Sequence, residues 1–298
     1  MIRYKLQTAI EKRSHLIGEG TNALRFIDGS GDDILGVFLD TFADHWLVST
    51  RDEQLHPEIR EWLQDQGHPT YWKRLDQHEK ENPAHVAGPE AREPFTATES
   101  DVNYQIHFQA GYSQGIFLDQ RLNRKRVREH SSAGQTVLNT FAYTGAFSVC
   151  AALAGATTTT LDLSQVYLDW ARDNFRANEL DPEQHYFCKG DTFHWLKRFA
   201  RQGRQFDGII LDPPTFSRDD KGKVFRVEKD YHKLVALAFA CLAPGGWMLC
   251  CTNCRKLDPR DFAKMVHTGA PGGKITPLTM PEEYTGEHYL KSLWVEKS

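Results

Sequence analysis

Three stretches of the chain carry the residue types and spacing that could hold a small cofactor and direct a transfer. Residues 137–148, VLNTFAYTGAFS, form an apolar run that stops at a tight turn bearing Gly145, with helix-forming residues after it. The run TTTTLD ends in an acid, Asp162. The run FDGIILD ends in Asp212, followed by Pro213 and Pro214. Loops at the carboxyl ends of strands are where an open parallel sheet binds its ligand. The first turn would lay backbone N–H groups and a helix N-terminus against an anionic group. The second acid would accept hydrogen bonds from a ribose. The third would aim a short, rigid acid-Pro-Pro loop at the reacting atoms.

The first turn separates two classes of nucleotide site. A dinucleotide fold wants G-x-G-x-x-G there, so that backbone can approach a pyrophosphate. Here Gly145 stands alone between Thr144 and Ala146. NAD and FAD are therefore disfavoured. S-adenosylmethionine (SAM), which has no pyrophosphate, needs only one close approach, at its amino-acid end.

These strand ends require alternating elements to position them. Strands are expected at 136–139, 158–162, 185–189, 208–211 and 246–252. Helices are expected near 115–130, 145–154, 164–178, 192–202, 228–241 and 259–267, with Ser164 at an N-cap position. Such alternation implies a parallel sheet with crossover helices. A last strand pair, 274–277 and 288–296, would close the sheet with one antiparallel strand. The expected fold class is α/β: a Rossmann-like core that resembles the class I SAM-dependent methyltransferase arrangement, with a small N-terminal α+β domain. That domain and its linker are assigned to residues 1–94 and the methyltransferase domain to 95–298. Within the small domain, apolar runs at 24–28, 34–39, 44–50 and 70–75 flank a helical stretch at 56–66. The polar segment 76–93 is expected to be loop, and 95–108 a hairpin.

Bulk composition bounds the function. The chain has 298 residues, 40% of them hydrophobic, enough for a large core and more than one domain. A formal charge of -4 and a pI near 6.4 argue against a general nucleic-acid coat protein and leave room for a local basic face. No apolar run reaches the ~20 residues of a membrane span, and the charged N-terminus has no signal-peptide core. Six cysteines in a chain of this length make no disulfide framework, so a reduced, cytoplasmic protein is expected. Cys251 and Cys254 have CxxC spacing without a second pair, and no metal site is assigned. Oligomeric state leaves no mark on the sequence.

Residues 111–124, GYSQGIFLDQRLNR, with NTFAYTGAFSV, DLS, GDTF and DPPTFS, resemble one family. They are similar to the bacterial large-subunit (23S) ribosomal RNA methyltransferases that include cytosine-5 and guanine-N7 enzymes. The resemblance covers residues 20–298. It implies a SAM cofactor, an RNA acceptor and a preceding α+β domain. Many cytosine-5 members also carry an N-terminal RNA-binding PUA module, which is not expected here because the α+β unit starts so early. Carried over by motif, Phe117, Asp119 and Arg121 line the cofactor side. Asn139, Phe141, Ala142, Tyr143, Thr144, Gly145 and Ala146 form the turn beneath the methionine part. Asp162, with Leu163 and Ser164, takes the ribose hydroxyls. Asp191 and Thr192 sit by the adenine, and Asp212, Pro213 and Pro214 edge the transfer site.

Two base chemistries make different demands. Cytosine C5 is inert until a cysteine thiolate adds to C6. By the resemblance, the nucleophile position falls on Asn253, and Cys254 comes one residue late, which on a strand exit points it the other way. Guanine N7 already carries a lone pair and needs only alignment. The runs DPPTFS and KVFRVEKDYHKL resemble the guanine-N7 branch. Asn253 would then hydrogen-bond the base edge and Phe216 would stack on it. Basic residues Arg121, Arg124, Lys125, Arg126 and Arg128, together with Lys221, Lys223, Arg226 and Lys229, are candidates for phosphate contact, with Arg255 and Lys256 beside the strand exit. The expectation is an RNA methyltransferase acting on a guanine of ribosomal RNA, N7 preferred. A cytosine-5 enzyme using Cys254, a SAM- or RNA-binding assembly factor, and a methyltransferase for a small molecule or protein remain open at this level.

Overall fold

A computed structural model describes the chain except Glu19, residues 76–80, Tyr112, residues 219–221 and Lys223, and gives Arg218 as backbone only. By backbone contacts it divides into two units. One comprises Met1–Arg121 with Pro281–His288, the other Leu122–Met280 with Tyr289–Ser298.

The first unit opens with α1 (Ile2–Arg13), which buries Leu6, Ala9 and Arg13, one stripe at helical spacing. Five strands follow: β1 (Ala23–Asp28), β2 (Val37–Phe42), β3 (His45–Thr50), β4 (Thr70–Arg74) and β5 (Ala84–Ala87). They form one sheet in sequence order. Only the β3–β4 pair is parallel, because α2 (Pro57–Gln66) crosses between them. The expected strand at 34–39 starts later, since Ile34 and Leu35 belong to the preceding turn. β5 falls inside the segment expected to be loop. The hairpin β6 (Phe95–Glu99) and β7 (Val102–Ile106) forms as expected. It lies in the first unit, so the division falls at Arg121 rather than at residue 94.

The second unit is a seven-stranded sheet. In chain order its elements are α3 (Arg121–Glu129, beginning at the boundary), β8 (Thr136–Thr140), α4 (Ala146–Leu153), β9 (Thr157–Asp162), α5 (Gln165–Arg176), β10 (Tyr186–Lys189), α6 (Thr192–Arg201) and β11 (Phe206–Leu211). A small hairpin follows, β12 (Phe216–Arg218) with β13 (Val224–Arg226), then α7 (Val227–Ala240), β14 (Leu242–Thr252), α8 (Pro259–Gly269), β15 (Lys274–Leu278) and β16 (Lys291–Glu296). The strand order is β10-β9-β8-β11-β14-β16-β15, and β16 is the one reversed strand. This is the expected Rossmann-like class I arrangement. Strand alternation divides the core. Ile209 and Leu211 of β11 pack with Tyr231, Leu234 and Phe262 on one face, whereas Ile210 packs with Val137, Phe147 and Trp294 on the other.

The expected helix at 115–130 is shorter. A 3-10 turn, Leu118–Gln120, precedes α3. The hairpin β12–β13 was not expected, because its strands are three residues each and carry arginines.

Candidate active site

The turn after β8 is built under conformational strain. Phe141 (φ 51°) and Tyr143 (φ 50°) are non-glycine residues in the left-handed region, and Gly145 (φ 71°) enters α4 in the same region. A Cβ on Gly145 would lie 2.7 Å from the Ala171 Cβ of α5, so the glycine is needed for space as well as for φ. Several bonds over-determine the turn. The Ala142 N–H donates to the Leu161 carbonyl at 3.0 Å and the Gly145 N–H to the Ala142 carbonyl at 2.8 Å. The buried Asn174 amide donates to the Thr144 carbonyl at 2.8 Å. Asn139 turns away from the strand exit: its side chain donates to Ser148 Oγ at 3.0 Å, which also accepts from Thr160 Oγ1 at 2.8 Å. Thr144 and Ala146 are buried in the turn.

Asp162 ends β9 and joins two strand exits. Its Oδ2 accepts the Tyr143 N–H at 2.8 Å, and its Oδ1 accepts the Ser164 N–H at 2.9 Å. Burial raises its pKa above the ordinary carboxylate value, and the N–H donors of Ser164, Tyr143 and Leu163 counteract part of that. A carboxylate has about four acceptor positions, so it can take a further donor beside these N–H groups. Ser164 caps α5 as expected, accepting the Tyr167 N–H at 3.4 Å.

Asp191 caps α6, accepting the His194 N–H at 2.8 Å, and its side chain also borders a cleft of about 550 Å³. Phe141, Leu163, Thr192 and Phe193 line it, together with Ser217, Val224 and Phe225 of the hairpin. The Phe225 ring stacks near Phe141, with centroids 6.4 Å apart, and lies 5.5 Å from Phe193. Phe225 was missed from sequence. Its only signal was an aromatic residue within a charged segment after the acid-Pro-Pro loop. A cleft of this size falls within the ~300–1,000 Å³ of small-molecule sites. The carboxylate at Asp162, the strained turn and the aromatic cleft therefore fit a nucleoside-bearing cofactor.

The third strand exit carries Asp212, half-buried, and the buried Pro213. Thr215, exposed, donates its hydroxyl to Asn253 Oδ1 at 3.1 Å. The structure thus brings the acid-Pro-Pro loop and the β14 exit together. Asn253 is exposed, whereas Cys254 is 3% exposed and packs in the core with Leu257 and Phe262. Lys291 Nζ donates to the Cys254 carbonyl at 3.0 Å, and the Cys254 N–H bonds Thr252 Oγ1 at 3.2 Å. Cys251 faces the other side of the sheet, 3.5 Å from Ser292 Oγ. All six cysteines are free thiols. Phe216 is 46% exposed, and the Arg226 guanidinium lies 5.5 Å from its ring centroid.

Phe117, Asp119 and Arg121 belong to the first unit. Phe117 is 49% exposed, and Asp119 lies in the 3-10 turn. The Arg121 guanidinium is engaged by both Glu283 carboxylate oxygens, at 3.1 and 2.6 Å. On α3, Arg124 is 2% exposed and Arg126 stacks 5.7 Å over Trp294, whereas Lys125 is exposed and Arg128 half-buried. Arg124 therefore drops out of the phosphate-facing row the sequence suggested. Lys221 and Lys223, also expected to face RNA, and Tyr112 of the GYSQG run lie outside the described residues. No helix among the described residues is long and apolar enough to cross a membrane.

The chain matches the family described as S-adenosylmethionine-dependent methyltransferase over residues 53–284. It is 33% identical over 315 residues to a Bacillus subtilis protein named, provisionally, ribosomal RNA large subunit methyltransferase YwbD, covering 98% of this chain and 79% of that protein. It is 38% identical over 214 residues to ribosomal RNA large subunit methyltransferase K of Neisseria meningitidis serogroup B, covering 71% of this chain and 57% of that one. Against ribosomal RNA large subunit methyltransferase K/L of Shewanella loihica it is 38% identical over 203 residues, 67% of this chain and 28% of that protein. The solved structure of SMU.776, described provisionally as a methyltransferase and complexed with SAH, superposes with a TM-score of 0.89 at 32% identity. That superposition covers 99% of this chain and 80% of that one.

Proposed function

The chain belongs to the S-adenosylmethionine-dependent methyltransferases, and from that premise we propose that it methylates a guanine of large-subunit ribosomal RNA at N7. Relatives named for ribosomal RNA of the large subunit support the acceptor class. The observation that carries the choice of atom is the exit of β14. Asn253 is exposed there and bonded to Thr215, while the Cys254 side chain is packed in the core. Cytosine-5 chemistry needs a thiolate at the base, and this corner presents an amide.

When bound, S-adenosylmethionine supplies a methyl group activated by its sulfonium. The protein's part is binding and alignment. Asp162 accepts ribose hydroxyls on its remaining lone pairs while holding the Tyr143 and Ser164 N–H groups. Asp191 and the aromatic cleft beside it take the adenine. At the transfer corner, Asn253 uses its oxygen on Thr215, which leaves its NH₂ to donate. Guanine presents O6, an acceptor, next to N7, whereas cytosine presents a donor at N4. Methylation at N7 puts positive charge on the purine. A half-buried Asp212 carboxylate stabilises that charge as it develops. Phe216 offers an exposed ring for stacking the base once it has left its helix.

The test is methyl transfer from tritiated SAM to ribosomal RNA from cells lacking this protein, followed by nucleoside mapping. The expected product is 7-methylguanosine at one large-subunit site. Label in 5-methylcytidine, or on protein alone, would overturn the reading.

A further inference from the structure

The helix α7 turns one face inward, burying Val227, Tyr231, Leu234, Val235 and Ala238. Four of these are aliphatic. Tyr231 is fully buried yet carries a hydroxyl, which in a core must find a partner. Its oxygen lies 3.1 Å from the Leu211 carbonyl and 3.0 Å from the Cys251 carbonyl. A phenol has one proton, so two strands share one donor. The place matters: the β11–β14 ladder ends at the Leu211–Cys250 pair. The Leu211 carbonyl is in the peptide that joins Asp212, and Cys251 stands two residues before Asn253. Burial pushes the phenol well above its ordinary pKa, so it stays a donor throughout the working pH range. Phe262 packs edge-on to the ring, with centroids 4.9 Å apart.

We infer that Tyr231 is the positioning residue of the transfer corner, its hydroxyl setting Asp212 and Asn253 relative to each other. It acts through the carbonyls of Leu211 and Cys251. The inference rests on the reading of Asp212 and Asn253 proposed above. Thr215, bonded to Asn253, ties the same two loops on their exposed side.

The test uses Tyr231→Phe in the full chain, which keeps the ring and removes the hydroxyl. Small misplacements at a reacting centre are costly, so kcat should fall at least about tenfold, with KM for SAM within about threefold. Hydrogen exchange of peptides spanning 211–217 and 249–256 should quicken at least about fivefold, with 232–240 unchanged. Phe262→Leu is the packing control. It should lower the melting temperature yet hold kcat within about threefold. Parental kcat or parental exchange rates in Tyr231→Phe would overturn the inference, as would an equal loss of kcat in Phe262→Leu. If the parent transfers no methyl to RNA, the acceptor reading fails, and the exchange comparison alone decides the role of Tyr231.

Discussion

Asp162 Oδ2 accepts the backbone N–H of Tyr143 at 2.8 Å, which ties the end of β9 to a residue held at φ 50° in the neighbouring turn. The acid keeps a strained turn in shape, and on the proposed reading it also accepts the ribose hydroxyls. Asp162→Ala removes both. Losing charge-assisted hydrogen bonds to buried hydroxyls costs ~1.5–3 kcal/mol, so SAM affinity should fall about ten- to a hundredfold by calorimetry. Unchanged affinity would show that the ribose is held elsewhere.

The same carboxylate predicts a pH dependence. Burial raises its pKa above the value in the unfolded chain. Ionised Asp162 thus costs the ligand-free fold some stability at neutral pH, and that cost disappears as pH falls below the unfolded value. Ligand hydroxyls favour the ionised form, so SAM binding should weaken as pH falls through the raised folded-state value, at a higher pH than an ordinary carboxylate would give. Asp162→Asn should bind weakly and nearly independently of pH through that transition. A parent whose affinity follows the same pH profile as Asp162→Asn would refute the assignment.

The parallel part of the fold was legible because its signals are local. Each β-α unit pairs an apolar run with a turn, and the boundaries of β8, β9, β10 and β11 fall within two residues of expectation. Signals that depend on distant partners were not legible. β5 is four residues inside a polar segment and becomes a strand only through pairing with β4. Residues 281–288 join the first unit because Arg13 and Arg121 bond Glu283 and the Gly286 N–H bonds Asp28. Nothing in that stretch's own periodicity announces those partners. Arg124 looked like a solvated cation, because a helix with five basic residues hides which one points inward. At the site, the strand ends and their acids could be placed from sequence. The aromatic wall from Phe225 could not, since a three-residue strand has no periodicity to read.

Gly145→Ala tests the turn itself. A left-handed φ costs a non-glycine residue ~1–2 kcal/mol, and the added Cβ meets Ala171 at 2.7 Å. Both the methyl clash and the strain act on the start of α4. The melting temperature should drop by roughly 2–4 °C per kcal/mol for a domain of this size, with SAM affinity lowered as well. A variant as stable as the parent would mean the turn relaxes without loss, and the strain argument would fail.

Asp212→Ala separates binding from transfer. The carboxylate sits at the β11 exit, and the cleft bordered by Asp191 is lined by other residues. SAM affinity should stay within about threefold, while kcat falls by ~10²–10³, the scale on which one electrostatic stabiliser is felt in other enzymes. Calorimetry and a tritiated-methyl assay on the same preparation decide it. Equal turnover by variant and parent would remove Asp212 from the transfer site.

Asn253 and Cys254 decide the base. Cys254 lies in the core, so Cys254→Ala should lower stability by ~1–2 kcal/mol through lost packing and leave kcat within about tenfold. Asn253→Ala removes the partner of Thr215 and the donor offered to guanine O6. It should cost ~1–3 kcal/mol in kcat/KM, because a hydrogen bond to the base edge is lost. N7 methylation passes through no protein–RNA bond, so RNA containing 5-fluorocytosine should yield no gel-shifted adduct. The cytosine-5 alternative requires the opposite on every count: a trapped adduct in the parent, its loss in Cys254→Ala, and turnover abolished there. It also requires the β14 exit to rearrange until the thiol leaves Leu257 and Phe262 and reaches the side now held by Asn253. An adduct that depends on Cys254 would establish that rearrangement and replace guanine with cytosine, leaving the cofactor site as described.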